Sequence, residues 1–334
     1  MNHGLHGAKP GFDALLLVSF GGPEGMDDVI PFLENVLRGR NVPRERMLSV
    51  AKHYEMFDGV SPINQQNRNL IAALEKELER NGPQLPIYWG NRNWHPMLVD
   101  TVRRMTDDGI QNALAFVTSA YSSYSSCRQY LENISDAQAQ AGPGAPRIEK
   151  LRQFYNHPLF IEANVDHIRA ALKQVGNAQL VFTAHSIPES MAANCDYAMQ
   201  LAETGGLIAR ELKVDNWQLV YQSRSGSPMQ PWLGPDILEH LKSLANAGVK
   251  EVVVAPIGFV SDHMEIVYDL DFEAQNLTRE LDMKMVRAAT AGTHPSFVKM
   301  IRELLLERMD NAPARFVGSH GARTGLCALD CCLK

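Results

Sequence analysis

The sequence predicts an α/β protein in which two parallel sheets are each flanked by helices. Short, continuous apolar runs, typical of strands buried on both faces, recur along the chain. Helical patterns separate these runs, and this alternation is typical of doubly wound parallel sheets. With 334 residues, the chain is long enough for two domains, each with its own core.

The first half contains three strand patterns. They lie at residues 14–20, 86–90 and 112–118. Helices are predicted to begin near residue 26 and to cover residues 44–54, 64–80 and 100–108. The run AQAQAGPGAP at residues 137–146 is the clearest break in composition, and it predicts a link between two domains.

The second half repeats this alternation of strand and helix patterns. Strands are predicted at about residues 148–154, 178–184, 217–221 and 252–257. Helices are predicted up to about residue 174, at 196–212, up to 247, and after the last strand. A final helix near residues 297–309 is predicted to cross back and pack on the first domain.

Composition limits the kinds of partner. The hydrophobic fraction of 45% and the charged fraction of 21% are ordinary for a globular protein. A formal net charge of -6 gives no electrostatic reason to expect a nucleic acid. No apolar run approaches the length of a bilayer-spanning helix, and the N-terminus lacks a signal pattern. We therefore expect a cytoplasmic protein without a transmembrane segment.

The most informative stretch is EVVVAPIGFVSDHMEIVYDLDFEA at residues 251–274, a buried strand pattern followed by acidic residues. Glu265, Asp269 and Glu273 are spaced i, i+4, i+8, so a helix would align them in an acidic stripe that attracts cations. A solvated acidic face is the usual explanation for such a run. Its position beyond the carboxyl end of a strand favours a ligand site instead.

A histidine from a second strand end completes the candidate site. His185 directly follows the strand at 178–184. A single histidine is more often a core or surface residue, but an imidazole facing a carboxylate can bind a divalent metal and take up protons. A Ser-His-Asp hydrolase is a poor fit without a G-x-S-x-G motif. A closed zinc site also fits poorly, because His185 and Glu265 lack paired ligands at structural spacing.

Seven segments together resemble the ferrochelatase family, in particular the actinobacterial-type coproporphyrin ferrochelatases. They are LLLVSFGGPEG, GVSPINQQNR, YWGNRNWHP, TSAYSSYSSCRQYLENI, TAHSIP, YQSR and PIGFVSDHMEIVYDLD. The resemblance covers roughly residues 13–302. It implies two similar Rossmann-like domains with the active-site cleft between them. The implied reaction is insertion of ferrous iron, the substrate metal, into a porphyrin, with coproporphyrin III favoured over protoporphyrin IX.

The resemblance also implies roles for individual residues. His185 and Glu265 match the family's catalytic metal-binding pair, and His263 matches a second histidine beside them. Asp269 and Glu273 match the acidic line thought to guide cations.

Further positions match the porphyrin contacts of bacterial members. Tyr54, Ser61 and Tyr130 correspond to residues that contact porphyrin propionates. Two positions depart from the pattern. Phe20 stands where some members have a tyrosine that can ligate product iron, and His53 stands where some have a propionate-binding arginine.

Cysteines crowd the end of the chain, where three of the five lie in the last eight residues. This points to metal binding rather than to a disulfide framework. Some members of the resembled family hold a 2Fe–2S cluster with one internal and three C-terminal cysteines, which correspond to Cys127, Cys327, Cys331 and Cys332. Three exposed reactive thiols, or zinc held by the same residues, are alternatives.

We expect domains at residues 12–145 and 146–295, a helix at about 296–312 that packs back on the first domain, and a cysteine-containing tail at 313–334. The expected partners are a porphyrin and ferrous iron, and the expected state is a monomer or weak dimer. Two rival functions stay open: a cobalt chelatase of the same superfamily, and a non-catalytic haem- or iron-binding sensor or carrier.

Overall fold

The strands form two sheets in a computed structural model that describes residues 11–39, 42–225, 229–323, 325 and 331–333. The described strands are β1 (Ala14–Ser19), β2 (Ile87–Asn91), β3 (Asn112–Val117), β4 (Arg147–Lys150), β5 (Gln179–His185), β6 (Trp217–Gln222), β7 (Glu251–Ala255) and β8 (Lys284–Arg287). The first sheet has the order β2-β1-β3-β4 and the second the order β6-β5-β7-β8. All the pairings within them are parallel. The predicted fold class, two parallel sheets flanked by helices, is confirmed.

Helices connect the strands and cover the sheets. The described helices are α1 (Met26–Leu37), α2 (Arg44–Glu55), α3 (Ile63–Asn81), α4 (Leu98–Asp107), a π-helical turn (Tyr124–Arg128), α5 (Gln129–Ala141), α6 (Pro158–Leu172), α7 (Glu189–Ala192), α8 (Tyr197–Leu212), α9 (Ile237–Asn246), α10 (Met264–Ile266), a π-helix (Val267–Ala274), α11 (Gln275–Glu280) and α12 (Pro295–Met309). None of the helices in the described part of the chain is long and apolar enough to cross a membrane.

Three elements differ from the prediction. We expected β4 to open the second half, but it pairs with β3 and completes the first sheet. α5 occupies the first part of the predicted link and ends at Gly142, which has a φ of 94°. β8 was not predicted at all. β4 (RIEK) and β8 (KMVR) are edge strands that carry charged residues, so neither shows a continuous apolar run. The division of the chain into two domains stays a prediction.

A continuous core joins the two halves, and each half has in addition a hydrophobic cluster of its own. It combines side chains from both sheets with side chains from α3, α6, α8 and α12. Phe116 of the first sheet and Phe182 of the second both belong to it. α12 packs on α3 and α6, and Arg302 donates to the carbonyls of Asn81 and Gly82 at the end of α3. The shared core therefore holds the two sheets in one fixed relation.

Candidate active site

A cleft of about 740 Å³ lies where the carboxyl ends of strands from both sheets meet. Phe20 and Thr118 follow β1 and β3 on one wall, and His185 ends β5 on the other. This is the edge at which open parallel sheets bind ligands. Nine of the predicted porphyrin- and iron-site residues line this cleft, namely Phe20, His53, Tyr54, Ser61, Tyr130, His185, His263, Glu265 and Asp269.

One carboxylate lies between two imidazoles. Nε2 of His185 is 3.5 Å from Oε1 of Glu265, and Nε2 of His263 is 3.5 Å from Oε2 of the same residue. Nδ1 of His185 makes a short hydrogen bond to the carbonyl oxygen of Ser186. Because a carbonyl only accepts, Nδ1 holds a proton and Nε2 faces Glu265.

The charges of this group stabilise each other. Burial by itself would lower the pKa of His185, but the facing Glu265 carboxylate outweighs it and raises the pKa to about 9. Burial would raise the pKa of Glu265, yet His185 and then His263 bring it down to about 2. At neutral pH the resting site therefore holds an imidazolium beside a carboxylate. The Glu265 side chain is 46% exposed, which leaves its oxygens accessible from the cleft.

His263 has a second, structural contact. Its Nδ1 accepts from the backbone N–H of Ile266 at 3.3 Å and caps the first turn of the helix that carries Glu265. Burial, the largest influence, lowers the pKa of His263, so this imidazole is neutral at neutral pH. Within the described residues, no three His, Cys, Asp or Glu side chains are arranged to hold a metal ion. His185, Glu265 and His263 therefore lie side by side and do not form a closed set of metal ligands.

The acidic stripe begins at Glu265 on the short α10 and continues with Asp269 and Glu273 on a π-helix, rather than on the one ordinary α-helix that we expected. Such wide helical turns are rare in proteins as a whole, and those that occur are often found at functional sites. Asp269 lies next along the stripe and accepts from the hydroxyl of Ser223. Burial is the main cause that raises its pKa to about 7, and Glu265 and Glu273 add to the effect.

Glu273 is the one predicted metal-site residue that does not line the cleft. Burial and then the charge of Asp236 raise its pKa. Tyr268, which does line the cleft, makes a hydrogen bond to Glu273. The stripe therefore begins inside the cleft at Glu265 and ends outside it at Glu273.

The predicted porphyrin contacts form the opposite wall. The side chains of Tyr54, Ser61 and Tyr130 are buried, with 8%, 4% and 5% exposure. Burial raises the pKa of Tyr54, so its hydroxyl stays protonated and can donate. His53 lies flat against the ring of Tyr268 from the other half of the chain. Burial lowers the pKa of His53, so it is a neutral group at neutral pH.

Two arginines that line the cleft have no predicted role. The guanidinium of Arg92 lies 4.8 Å from the ring centroid of Tyr130 and 5.6 Å from that of Phe20. Arg46 donates from α2 to the carbonyl oxygen of Ser225 across the cleft. Arg92 directly follows β2, and this position at a strand end was the available signal. The position of Arg46, on a helix with no strand before it, gave no such signal.

Cys127 lies beside the segment that the start of the tail follows. Cys127 is buried, and its sulfur is 2.5 Å from Nε2 of Gln153. The sulfurs of Cys331 and Cys332 are 3.5 Å apart. Cys327 lies outside the described residues. The backbone N–H of Val317 donates to the carbonyl of Asn156, so the start of the tail follows the segment that contains Gln153.

Known proteins match this chain over nearly its whole length. The sequence model of the family described as "Ferrochelatase" matches residues 12–309. A "Ferrochelatase" from Rhodopirellula baltica is 55% identical over 332 residues, with 97% of this chain and 94% of that protein covered. A "Coproporphyrin III ferrochelatase" from Nocardia farcinica is 50% identical, with 96% of each chain covered. The solved structure of the sirohydrochlorin chelatase SirB from Bacillus subtilis subspecies spizizenii in complex with cobalt has a TM-score of 0.53 and 14% identity, covers 90% of this chain and 96% of its own, and supports the fold alone.

Proposed function

Because the chain belongs to the ferrochelatase family, we propose that it inserts ferrous iron into coproporphyrin III and that His185 and Glu265 carry the reaction. Insertion of iron into a porphyrin in haem biosynthesis is the activity of this enzyme. The observation that carries the residue assignment is the 3.5 Å contact between His185 and Glu265 inside a cleft of about 740 Å³.

Glu265 is the group that we assign to the incoming iron. Carboxylate oxygens are good ligands for a divalent cation, and both oxygens of Glu265 are bordered by imidazole nitrogens. When iron neutralises this carboxylate, His185 loses the charge that raises its pKa to about 9. His185 then releases its proton to solvent and becomes a base. Asp269, with a pKa of about 7, can take up and release a proton at neutral pH beside this pair.

His185 is the group that we assign to the pyrrole protons. Two nitrogens of a porphyrin must lose their protons before iron enters the ring. A cleft that favours a bent macrocycle exposes these nitrogens and so lowers the barrier. Once neutral, His185 accepts a pyrrole proton at Nε2, because its Nδ1 proton is held by the carbonyl of Ser186. It passes this proton to solvent and then accepts the second one at the same nitrogen.

The polar wall of the cleft supports coproporphyrin III as the substrate. This porphyrin carries a propionate on every pyrrole ring, whereas protoporphyrin IX carries vinyl groups on two of them. The wall offers the guanidinium groups of Arg46 and Arg92 and the hydroxyls of Ser61 and Tyr130. Charged donors form the stronger hydrogen bonds to carboxylates. The Nocardia farcinica relative that bears this substrate in its name is 50% identical.

An anaerobic assay tests the proposal. Purified protein is mixed with ferrous iron and either coproporphyrin III or protoporphyrin IX, and absorbance reports the metallated product. Faster insertion into coproporphyrin III is the expected result. Faster insertion into protoporphyrin IX would overturn the substrate assignment, and retention of iron porphyrin without insertion would favour a sensor or carrier. A cytoplasmic location and a monomeric or weakly dimeric state are parts of the same proposal, tested by cell fractionation and sedimentation.

We also propose that Cys127, Cys327, Cys331 and Cys332 hold a 2Fe–2S cluster. Four thiolates are the ligands that such a cluster requires. Cys127 contacts Gln153, and the tail runs beside that segment, where Gly325 lies against the backbone of Lys150 and Arg152. These contacts support a site at which the tail meets Cys127. A bound cluster would supply a redox-active group, and the cysteines would anchor the tail to the body of the protein.

A further inference from the structure

Arg287 joins three separate elements of the second half. It is the last residue of β8, and its register partner on β7 is Val254. Its Nη1 and Nη2 atoms lie 3.2 and 3.0 Å from the two carboxylate oxygens of Asp262. Its Nε and Nη2 atoms lie 2.6 and 3.1 Å from the two oxygens of Asp271. One guanidinium thus bonds both oxygens of two carboxylates.

The two carboxylates belong to the parts of the chain that carry the iron-site residues. Asp262 immediately precedes His263 in the loop after β7. Asp271 lies in the π-helix that continues from Glu265. A shift of Asp262 would therefore move His263 directly, and a shift of Asp271 would move the helix that presents Glu265.

Other bonds fix the same loop to the rest of the protein. The hydroxyl of Thr290 donates to Oδ1 of Asp262 at 3.1 Å. The backbone N–H of Asp262 donates to Oε1 of Gln66, on α3 of the first half, at 2.8 Å. The loop between β7 and the π-helix is therefore held from the sheet side by Arg287 and Thr290, and from the other half of the chain by Gln66.

These groups lie behind the cleft. Arg287, Asp262, Asp271 and Thr290 do not line the cleft, whereas Ser261, His263 and Glu265 do. The side chains of Arg287 and Asp262 are only 18% and 19% exposed. Bidentate bonds between arginine and carboxylate are short and geometrically specific, and an arginine does this better than a lysine, which is a point charge.

We propose that Arg287 is a positioning residue for iron insertion: by holding Asp262 and Asp271 together, it fixes His263 and Glu265 at the spacing that receives the metal. It touches neither iron nor porphyrin. The inference rests on the proposed roles of His263 and Glu265. Groups that hold metal ligands in place typically change metal affinity or activity by about 10–100-fold when they are removed.

Steady-state kinetics of Arg287→Lys tests this role. The lysine keeps the charge and cannot bond both carboxylates in the same way. We expect kcat/KM for ferrous iron to fall about 10–100-fold, while the KM for coproporphyrin III stays within about twofold, since the porphyrin wall is untouched. A role in stability alone would lower the melting temperature and leave this ratio unchanged.

Arg302→Lys is the matched control. Arg302 has a side chain that is 22% exposed, and it bonds two carbonyls at the C-terminal end of α3. Gln66, which bonds the loop beside the iron site, lies near the other end of that helix. The loss of Arg302 should lower stability without a change in kcat/KM for iron. If Arg287→Lys fails to fold, kcat/KM for iron is measured on Asp271→Asn instead. This variant keeps the shape of the side chain and the Asp262–Arg287 bonds.

Binding of Co²⁺ to the protein alone, followed by its d–d absorption, gives a readout that does not depend on turnover. We expect both variants to bind Co²⁺ more weakly than the wild type and than Arg302→Lys. Folded variants with wild-type Co²⁺ affinity and wild-type kcat/KM for iron would overturn the inference. A wild type that inserts no iron would contradict the proposed function, and the Co²⁺ affinities would still decide the role of Arg287.

Discussion

The imidazole of His53 lies parallel to the ring of Tyr268, with centroids 3.7 Å apart and an interplanar angle of 4°. His53 lies on α2 in the first half of the chain, and Tyr268 lies on the π-helix in the second half. Both rings line the cleft. The contact therefore joins the wall predicted to bind propionates to the wall that carries the iron site.

His53→Arg should strengthen porphyrin binding. Because burial lowers the pKa of His53, the native residue offers a propionate only a neutral hydrogen bond. Arginine stays charged and can stack on Tyr268 in the same manner. A charged donor should bond a propionate more strongly than a neutral imidazole does, by about 1–1.4 kcal/mol, so the KM for coproporphyrin III should fall about 5–10-fold. Steady-state kinetics with varied porphyrin measures it.

Ser49→Arg is the control for that experiment. Ser49 is exposed on the same helix and does not line the cleft. An arginine at this position adds a positive charge that cannot contact a porphyrin propionate in the cleft. The KM of this variant for coproporphyrin III should match that of the wild type. Equal KM values for His53→Arg and the wild type would contradict the assignment of this position to propionate recognition.

His185→Ala should abolish iron insertion without unfolding the protein. The variant removes the imidazole that faces Glu265, and its loss should cost at least about 100-fold in kcat, the scale of general acid–base catalysis. The anaerobic absorbance assay measures turnover, and circular dichroism confirms folding. His167→Ala, at a histidine outside the cleft lining, should keep its activity. Substantial turnover by His185→Ala would disprove the assignment.

His157 should make folding stability depend on pH. Burial, followed by the charges of Arg152 and Arg315, lowers its pKa to about 3 from an ordinary value of 6.5. Between these two values the unfolded chain binds a proton that the folded protein does not. Stability should therefore fall as the pH drops below about 6.5, by about 2 kcal/mol between about pH 7 and pH 5.

His157→Asn isolates that contribution. Asparagine can still cap α6, where His157 accepts from the N–H of Leu159. Urea unfolding at several pH values should show the wild type losing stability relative to the variant as the pH falls from about 7 to 5. A constant difference between the two proteins over this range would refute the assignment of the lowered pKa to His157.

Cys127→Ser should remove the proposed cluster. Oxygen is a poor substitute for a cluster thiolate, so bound iron and acid-labile sulfide should fall to background, together with visible absorbance. Cys195→Ser is the control, because its sulfur donates to the carbonyl of Met191 and we assign it no ligand role. Zinc in place of iron and sulfide in the wild type would favour the alternative metal site, and absence of both would favour simple thiols.

The local sequence determined most of the strands and the residues at their ends. A buried strand of a parallel sheet has a continuous apolar run as its sequence, and the residues that follow it lie at the ligand-binding edge of the sheet. His185 and Glu265 could therefore be predicted as a candidate ligand site without a structure, while their catalytic role was implied by the family resemblance. The edge strands β4 and β8 could not, because their charged residues hide the strand pattern. The crowding of three cysteines at the end of the chain indicated metal binding, while the cluster and the choice of Cys127 came from the family resemblance.

Only the tertiary structure decided how distant segments meet. The stack of His53 on Tyr268, the position of Arg92 over Tyr130, and the bonds of Arg287 to Asp262 and Asp271 each join residues that are far apart in the chain or on different elements. Local patterns carry no information on such distances. They follow from the shared core, which fixes one sheet against the other and so sets the width of the cleft and the pKa values within it.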